Sequence, residues 1–231
     1  MNKKNIVCFI FARDNSQGLK NKNLLKFNKV SLLGNSILQS RQSKYIKKTY
    51  VSTDSIKIAN EAKKYKAEIP FLRPKSLAKN NSPEINAWKH AISYMEKNLE
   101  KLPDYIVSLP TTSPLRNKSD INRCIAKAIK NNLDIVFSVT PCTRNPYYNL
   151  IIKKKGKLKV IYKKKKKIFR RQDTPKCYDL TTACYVFKPN YIKKTLDFFS
   201  GKTGYVIIPK KRAIDIDDLW DYKVANYLSK Y

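Results

Sequence analysis

The sequence predicts an α/β fold with a mostly parallel sheet and helices on both faces, and three observations carry that expectation. Short apolar runs of strand length alternate with segments whose apolar residues recur at helical spacing. The first run, residues 6–11, is wholly apolar and leads into a polar loop, as a buried strand of a parallel sheet does. Beyond residue 140 the alternation gives way to strands with little helix between them, so a β-rich insertion over roughly 141–186 is expected.

The elements follow in order. Residues 36–45 read as a helix, 49–52 as a short strand, and 55–65 as an amphipathic helix with Ile56, Ile58, Ala59 and Ala62 on one face. Residues 69–72 read as a short strand. A long helix follows over 83–99, with Ser82 as its N-cap and Pro83 in the first turn, where a missing N–H is harmless. Residues 105–109 read as a strand, 119–130 as a helix and 134–139 as a strand. Inside the insertion, 147–152, 158–162 and 178–187 read as strands. The chain then returns to α/β, with a helix over 190–199, a strand over 205–208 and a last helix starting at Asp218. With no internal repeat and no Pro/Gly/Ser linker, 1–231 is expected to form a single domain.

Composition narrows the function classes. No stretch of about 18 apolar residues occurs, which excludes a membrane-spanning helix. The lysines before Ile6 precede an apolar run too short for a signal peptide, and no small-residue cleavage site follows it, so a cytoplasmic location is expected. The five cysteines, Cys8, Cys124, Cys142, Cys177 and Cys184, form no CxxC pair, which argues against a disulfide framework and a zinc site. A Ser-His or Cys-His pair would depend on His90, the one histidine. The net charge of +32 raises nucleic-acid binding as a reading. The lysines, however, are spread throughout, and the densest run, 153–167, lies in an amphipathic hairpin-like stretch whose lone aromatic, Tyr162, does not make the interleaving typical of single-strand binding sites. A solvated face is the preferred reading, and nucleic acid is not the expected partner. The positive field would still draw in an anionic substrate such as a nucleoside triphosphate.

Two segments carry chemistry on their own. The loop after the first strand, residues 12–23, holds Arg13, Lys20 and Lys22 with Gly18 among them, a set suited to gripping phosphate. It lacks the GxxxxGK[ST] pattern, so it is not a P-loop, and a solvated basic loop is the rival reading. Near the C-terminus, Asp215-Ile216-Asp217 places two carboxylates two residues apart, on the same side of an extended segment, where both can meet one hard cation. Arg73-Pro74 reads either as a site residue or as a surface residue leaving a strand. Without further context Arg170-Arg171 merely continues the lysine run.

Six ordered blocks then tie these segments together. They are Arg13, Ser16, Gly18, Lys22 and Asn23; Val51-Ser52-Thr53-Asp54; Phe71-Leu72-Arg73-Pro74 with Leu77-Ala78; Thr112-Ser113-Pro114-Leu115-Arg116; Arg170-Arg171-Gln172-Asp173 with Pro175 and Tyr178; and Asp215-Ile216-Asp217. In identity, spacing and order the chain resembles the cytidylyltransferases that make CMP-sialic acid and their relatives acting on legionaminic, pseudaminic or octulosonic acids. The resemblance implies a Rossmann-like nucleotidyltransferase sheet with a β-rich dimerisation arm, a homodimer, CTP as co-substrate and Mg²⁺ held by Asp215 and Asp217. It implies that Arg13, Ser16, Gly18 and Lys22 hold the triphosphate, Asn23 the ribose, and Arg73 with the backbone amides around Ser82 the cytosine. Arg170, Arg171 and Gln172, with Thr112 and Thr181, would meet the acidic sugar, the arm reaching across to the neighbouring subunit. Thr112, Ser113 and Arg116 also read as a strand-end turn that shapes the pocket.

The expected reaction is transfer of CMP from CTP to the anomeric hydroxyl of a 2-keto-3-deoxy sugar acid, with release of pyrophosphate, for cell-surface glycan synthesis such as lipopolysaccharide. Arg13, Lys22, Asp215 and Asp217 would be its catalytic set. Departures from the family pattern are Asp14 and Asn15 for two glycines, Gln17 for a lysine, Pro110-Thr111 for Gln-Pro and Thr181-Thr182 for Asn-Gly. The rival readings are a related nucleotidyltransferase with another sugar or nucleotide and, further off, a basic nucleic-acid-binding protein without enzymatic activity.

Overall fold

Alternation along the first strand sets the layers of the molecule. A computed structural model describes residues 4–14, 18–162 and 169–231. In β1 (Ile6–Phe11), Ile6, Cys8 and Ile10 face one side of the sheet and Val7 and Phe9 the other, as the two-residue period of a strand requires. The first face packs on Leu33 and Ile37 of α1 (Leu32–Arg41), Ile58 and Ala62 of α2 (Ile56–Lys64), and Ile121, Cys124, Ile125 and Ala128 of α4 (Lys118–Lys130). The second face packs on Trp88, Ala91, Ile92 and Met95 of α3 (Glu84–Asn98) and Ile192 of α5 (Pro189–Lys194). Each Ile or Leu buried this way stabilises the fold by about 1.5–3 kcal/mol.

The six-stranded sheet also contains β4 (Lys48–Ser52), β5 (Tyr105–Ser108), β6 (Ile135–Pro141), β9 (Tyr178–Phe187) and β10 (Thr203–Ile207), in the order β10-β6-β9-β5-β1-β4. β1 pairs in parallel with β4 and β5, and β6 with β10. β9 runs antiparallel to both of its neighbours, β5 and β6, so the sheet is mixed around one reversed strand. A register shift between Phe137 and Val139 marks a bulge in the β6–β9 pairing. Ser138 fills it, its hydroxyl accepting from the Cys184 amide at 2.8 Å.

Several elements depart from their sequence-based expectation. α1 begins at Leu32 rather than residue 36, because the Ser31 side chain accepts from the Gly34 amide and starts the helix. Residues 69–72 form no strand; the isolated bridges Tyr50–Glu68 and Thr53–Leu72 replace it. Ser82 does not cap α3, whose N-cap is Pro83. α5 ends at Lys194, short of residue 199. The last helix, α6 (Leu219–Leu228), does start from Asp218, in a capping box with Asp221.

Two small hairpins complete the chain. β2 (Lys26–Phe27) and β3 (Val30–Ser31) lead into α1. β7 (Ile151–Lys154) and β8 (Lys157–Val160) form the lysine-rich hairpin. Lys155 and Gly156 close it with φ of 51° and 73°, the left-handed pair a tight two-residue turn demands. Residues 163–167 of the lysine run lie outside the described residues. Among the described residues, no helix is long and apolar enough to cross a membrane.

Candidate nucleotide site at the strand ends

β1, β4 and β5 are parallel, so the loops after Phe11, Ser52 and Ser108 emerge at one edge of the sheet, where α/β folds hold ligands. Asp215-Ile216-Asp217 is brought to the same edge by one hydrophobic anchor. Ile216 is fully buried with Phe27, Leu32 and Ala225, and its amide donates to the Thr112 carbonyl at 2.8 Å. Pinning the middle residue inward fixes the two flanking aspartates. A cleft of about 270 Å³ results, lined by Phe11, Arg13, Lys22, Asn23, Pro110, Thr111, Thr112 and Asp217.

Lys22 joins the two sides of that cleft. Its buried ammonium donates to the Ile216 carbonyl at 2.7 Å and to Asp217 Oδ1 at 3.3 Å. Gly18 sits against the same segment with φ +85°, and a Cβ there would overlap the Asp217 carbonyl oxygen. Arg13 lines the cleft and donates from Nη1 to the Lys79 carbonyl at 3.1 Å. Asn23 donates to the Arg13 carbonyl at 2.8 Å and accepts from Thr111 Oγ1 at 2.6 Å, which braces the loop against the end of β5. The Asp14 amide donates to Asp54. Ser16 lies outside the described residues.

The charged groups behind the cleft are strained by burial. Desolvation raises the Asp215 pKa above the ordinary carboxylate value; the Thr112 and Thr182 hydroxyls oppose it, and the Asp217 charge adds to it. Asp215 Oδ1 is buried without a hydrogen-bond partner among the described residues. Asp217 keeps an exposed side chain. Arg73 is buried, with Nε and Nη2 unpartnered among the described residues, and burial lowers its pKa while the charge of Asp54 opposes that. Glu84, an exposed residue in the first turn of α3, accepts from Trp88 Nε1 at 3.2 Å, and desolvation of its carboxyl raises its pKa.

These donors suit a magnesium ion of a particular kind. Among the described residues no three His, Cys, Asp or Glu side chains cluster to hold a metal, so a closed protein cage is absent from that set. Mg²⁺ more often takes one or two carboxylates and completes its shell with water and substrate phosphates. The orphaned Asp215 oxygen and exposed Asp217 fit that mode.

Other residues read from the sequence lie elsewhere. Arg171 and Gln172 line a separate cavity of about 610 Å³ beside Pro141, Cys142 and Tyr178, and Arg170 pairs with Asp173. Within one chain, none of the three lines the cleft. Thr181 is buried, donating to the Ser138 carbonyl at 3.0 Å where it closes the bulge, so it is not a cleft residue either. The Ser82 amide donates to the Lys79 carbonyl as part of the turn before α3. Arg116 is fully enclosed, donating to the carbonyls of Pro110 and Ala183 and to Ser36, with its pKa pulled down to about 10 by burial. It holds the turn that carries Thr112, the shaping task expected of it. Phe11, Thr111, Thr182 and Glu84 were not singled out as site residues. The strand-end rule pointed to the first two, and nothing in the sequence marks Glu84.

Comparison with known proteins agrees with this arrangement. Residues 7–223 match the family described as "Cytidylyltransferase". The chain is 35% identical to post-translational flagellin modification protein B of Campylobacter coli, over 97% of this chain and 95% of that one. It is 34% identical to the CMP-N,N'-diacetyllegionaminic acid synthase of Campylobacter jejuni, over 96% and 94% of the two chains. In fold it resembles a CMP:2-keto-3-deoxy-manno-octonic acid synthetase solved with CTP, with a TM-score of 0.73, 10% identity and 98% of both chains covered. The match over residues 7–223, with relatives 34–35% identical along nearly the whole of both chains, places the chain in the cytidylyltransferase family.

Proposed function

We propose that the protein transfers CMP from CTP to the anomeric hydroxyl of a sialic-acid-like 2-keto-3-deoxy sugar acid, releasing pyrophosphate, as a step in glycan synthesis. One observation carries the reading. The buried Lys22 ammonium bonds the Ile216 carbonyl and Asp217, so a phosphate-binding turn and a cation-binding pair face one space. The similarity to a CMP-N,N'-diacetyllegionaminic acid synthase makes an N-acylated nine-carbon acid of that type the first substrate to test.

In this mechanism Arg13, Lys22 and the backbone around Gly18 bind and orient the triphosphate, with Ser16 assigned to the same task by family resemblance. Arg73 offers two unpartnered buried donors to an acceptor edge of the cytosine, which removes the cost of an unpaired buried cation. Asn23 holds the carbonyl of Arg13 and so sets the cleft's width beside the ribose. Asp215 and Asp217 would hold Mg²⁺, which when bound supplies charge neutralisation and polarisation of the phosphate. The sugar hydroxyl attacks the α-phosphorus in line, and the P–O bond to pyrophosphate breaks. Lys22 and Arg13 stabilise charge on the departing group, so positioning and electrostatics carry the rate.

Arg170, Arg171 and Gln172 are assigned to the sugar carboxylate of a second copy's site. Exposed Ile151 and Leu158, with Val160 on the same two strands, share one face of the hairpin and offer that partner an apolar contact. Incubation with CTP, Mg²⁺ and a panel of legionaminic, pseudaminic, sialic and octulosonic acids, read by pyrophosphate release, tests the reading. Turnover of at least one acid, abolished in Asp217→Ala, is expected. Silence with every acid, joined to thermal stabilisation by DNA or RNA but not by CTP, would reject it.

A further inference from the structure

Two of the five cysteines face each other at the root of the insertion, away from the nucleotide cleft. The antiparallel register of β6 and β9 runs Val139–Leu180, Thr140–Asp179 and Pro141–Tyr178. One step further it sets Cys142 directly opposite Cys177, and the Cys142 amide donates to the Cys177 carbonyl at 3.2 Å. Pro141 has no N–H, so it takes the position without ladder bonds and leaves the hydrogen-bonded position to Cys142. Directly opposed residues project to the same face of a sheet. Both cysteines accordingly line the one cavity of about 610 Å³.

The opposed Cα atoms of such a pair lie about 5.5 Å apart, inside the span of about 4.4–6.8 Å that a disulfide bridges. The Cys142 thiol pKa is raised first by burial and next by the Cys177 thiol, with Asp179 adding to it and Arg171 opposing it. Both residues are partly exposed, whereas Cys8, Cys124 and Cys184 are buried. Cys124 and Cys184 also meet, but inside the core, where an oxidant has no access.

We propose that Cys142 and Cys177 are a redox modification site, closing to an intrachain disulfide that clamps the stem of the insertion. With hydrogen peroxide as oxidant, one thiol gives its proton to solvent and attacks a peroxide oxygen as the thiolate. The O–O bond breaks, the sulfur becomes a sulfenic acid, and the leaving hydroxide takes up a proton as one water. The second thiol, deprotonated in the same way, attacks that sulfur. The S–S bond forms, the S–O bond breaks, and the leaving hydroxide takes up the second proton as a second water. Thiols such as glutathione reverse the step by exchange. The bond encloses residues 143–176, with the β7–β8 hairpin and Arg170–Gln172 among them. It holds in place the contact from Arg171 Nη2 to the Cys142 carbonyl, 3.1 Å long. The proposal stands on strand register and does not depend on the sugar or the nucleotide.

Reduced protein treated with dilute hydrogen peroxide, then mapped by mass spectrometry, tests it. Free thiols are expected to fall from five to three, with the peptides of Cys142 and Cys177 joined and fully released by dithiothreitol. The oxidised protein should melt several degrees higher, since a loop of this length is removed from the unfolded ensemble. Cys142→Ser and Cys177→Ser should each keep their four remaining thiols under the same treatment. An unchanged thiol count in the wild type, a bond mapped to Cys124–Cys184, a bond between two chains, or separate sulfinic acids at the two positions would each overturn the proposal. The wild-type result decides even where a variant fails to fold.

Discussion

Asp215 is a carboxylate that the fold holds at a cost. Its pKa is raised by burial, so the native state binds that proton more tightly than the unfolded chain does. The cost is absent well below the unfolded pKa, grows as pH rises through it, and is complete above the raised native value. Asp215→Asn is therefore expected to raise the melting temperature at neutral pH while lowering turnover by about 10²-fold or more, the scale of losing a preorganised electrostatic contact. Parallel melting and pyrophosphate assays check this; a melting temperature that falls at pH 7 would contradict the burial argument. Gly18→Ala should cost about 1 kcal/mol or more, from positive φ and overlap with Asp217 together, and raise the KM for CTP. Asp215, Asp217, Lys22 and Gly18 could be marked as candidates in the sequence because residue type and spacing drew attention to them and the family resemblance chose between the site reading and a solvated loop. Thr182 and Glu84 were not, because each meets its partners only through tertiary packing: Thr182 accepts from or donates to Ser113, and Glu84 curls back to Trp88.

At the scale of elements, the start of α6 organises the acid pair. Asp221 accepts from the amides of Asp217 and Asp218 at 3.0 and 3.2 Å, while Asp218 accepts from the Asp221 amide at 2.9 Å. The helix N-terminus thus grips the residue that reaches the cleft. Asp221→Ala should destabilise the protein by about 1 kcal/mol, the usual worth of a cap. Because Asp217 loses its backbone anchor, the Mg²⁺ concentration needed for half-maximal rate should rise several-fold. A titration that left this midpoint unchanged would separate the cap from the site. Helical spacing of apolar residues made α2 and α4 legible, an unbroken apolar run did the same for β1, and Asp218 announced α6. The start of α1 was missed because Ser31 initiates a helix whose first turn, Leu32-Leu33-Gly34, carries no polar–apolar alternation. Ser82 misled because Pro83, with no N–H and extended dihedrals, took the capping place.

At the scale of the whole molecule, the charge of +32 acts as a field. The KM for CTP is expected to rise steadily with ionic strength, as exposed lysines are screened beyond about 8–10 Å. A salt-independent KM would confine recognition to the buried contacts. The exposed hairpin residues make an associated state the expected one, and Leu158→Glu should shift the sedimentation coefficient toward that of the monomer. The α/β class was legible because buried strands and amphipathic helices leave different periods. The direction of β9 was not, since a strand's apolar pattern reads the same either way round and only its neighbours decide it. That reversed strand governs the order of assembly. β4, β1 and β5 are joined to β6 and β10 only through β9, which the ribosome delivers after residue 177. The sheet's first half must wait with an open edge while some 70 further residues emerge. A chain truncated ahead of Tyr178 keeps β4, β1 and β5 with an open edge and leaves β6 without β9 or β10 beside it, and should partition to aggregates.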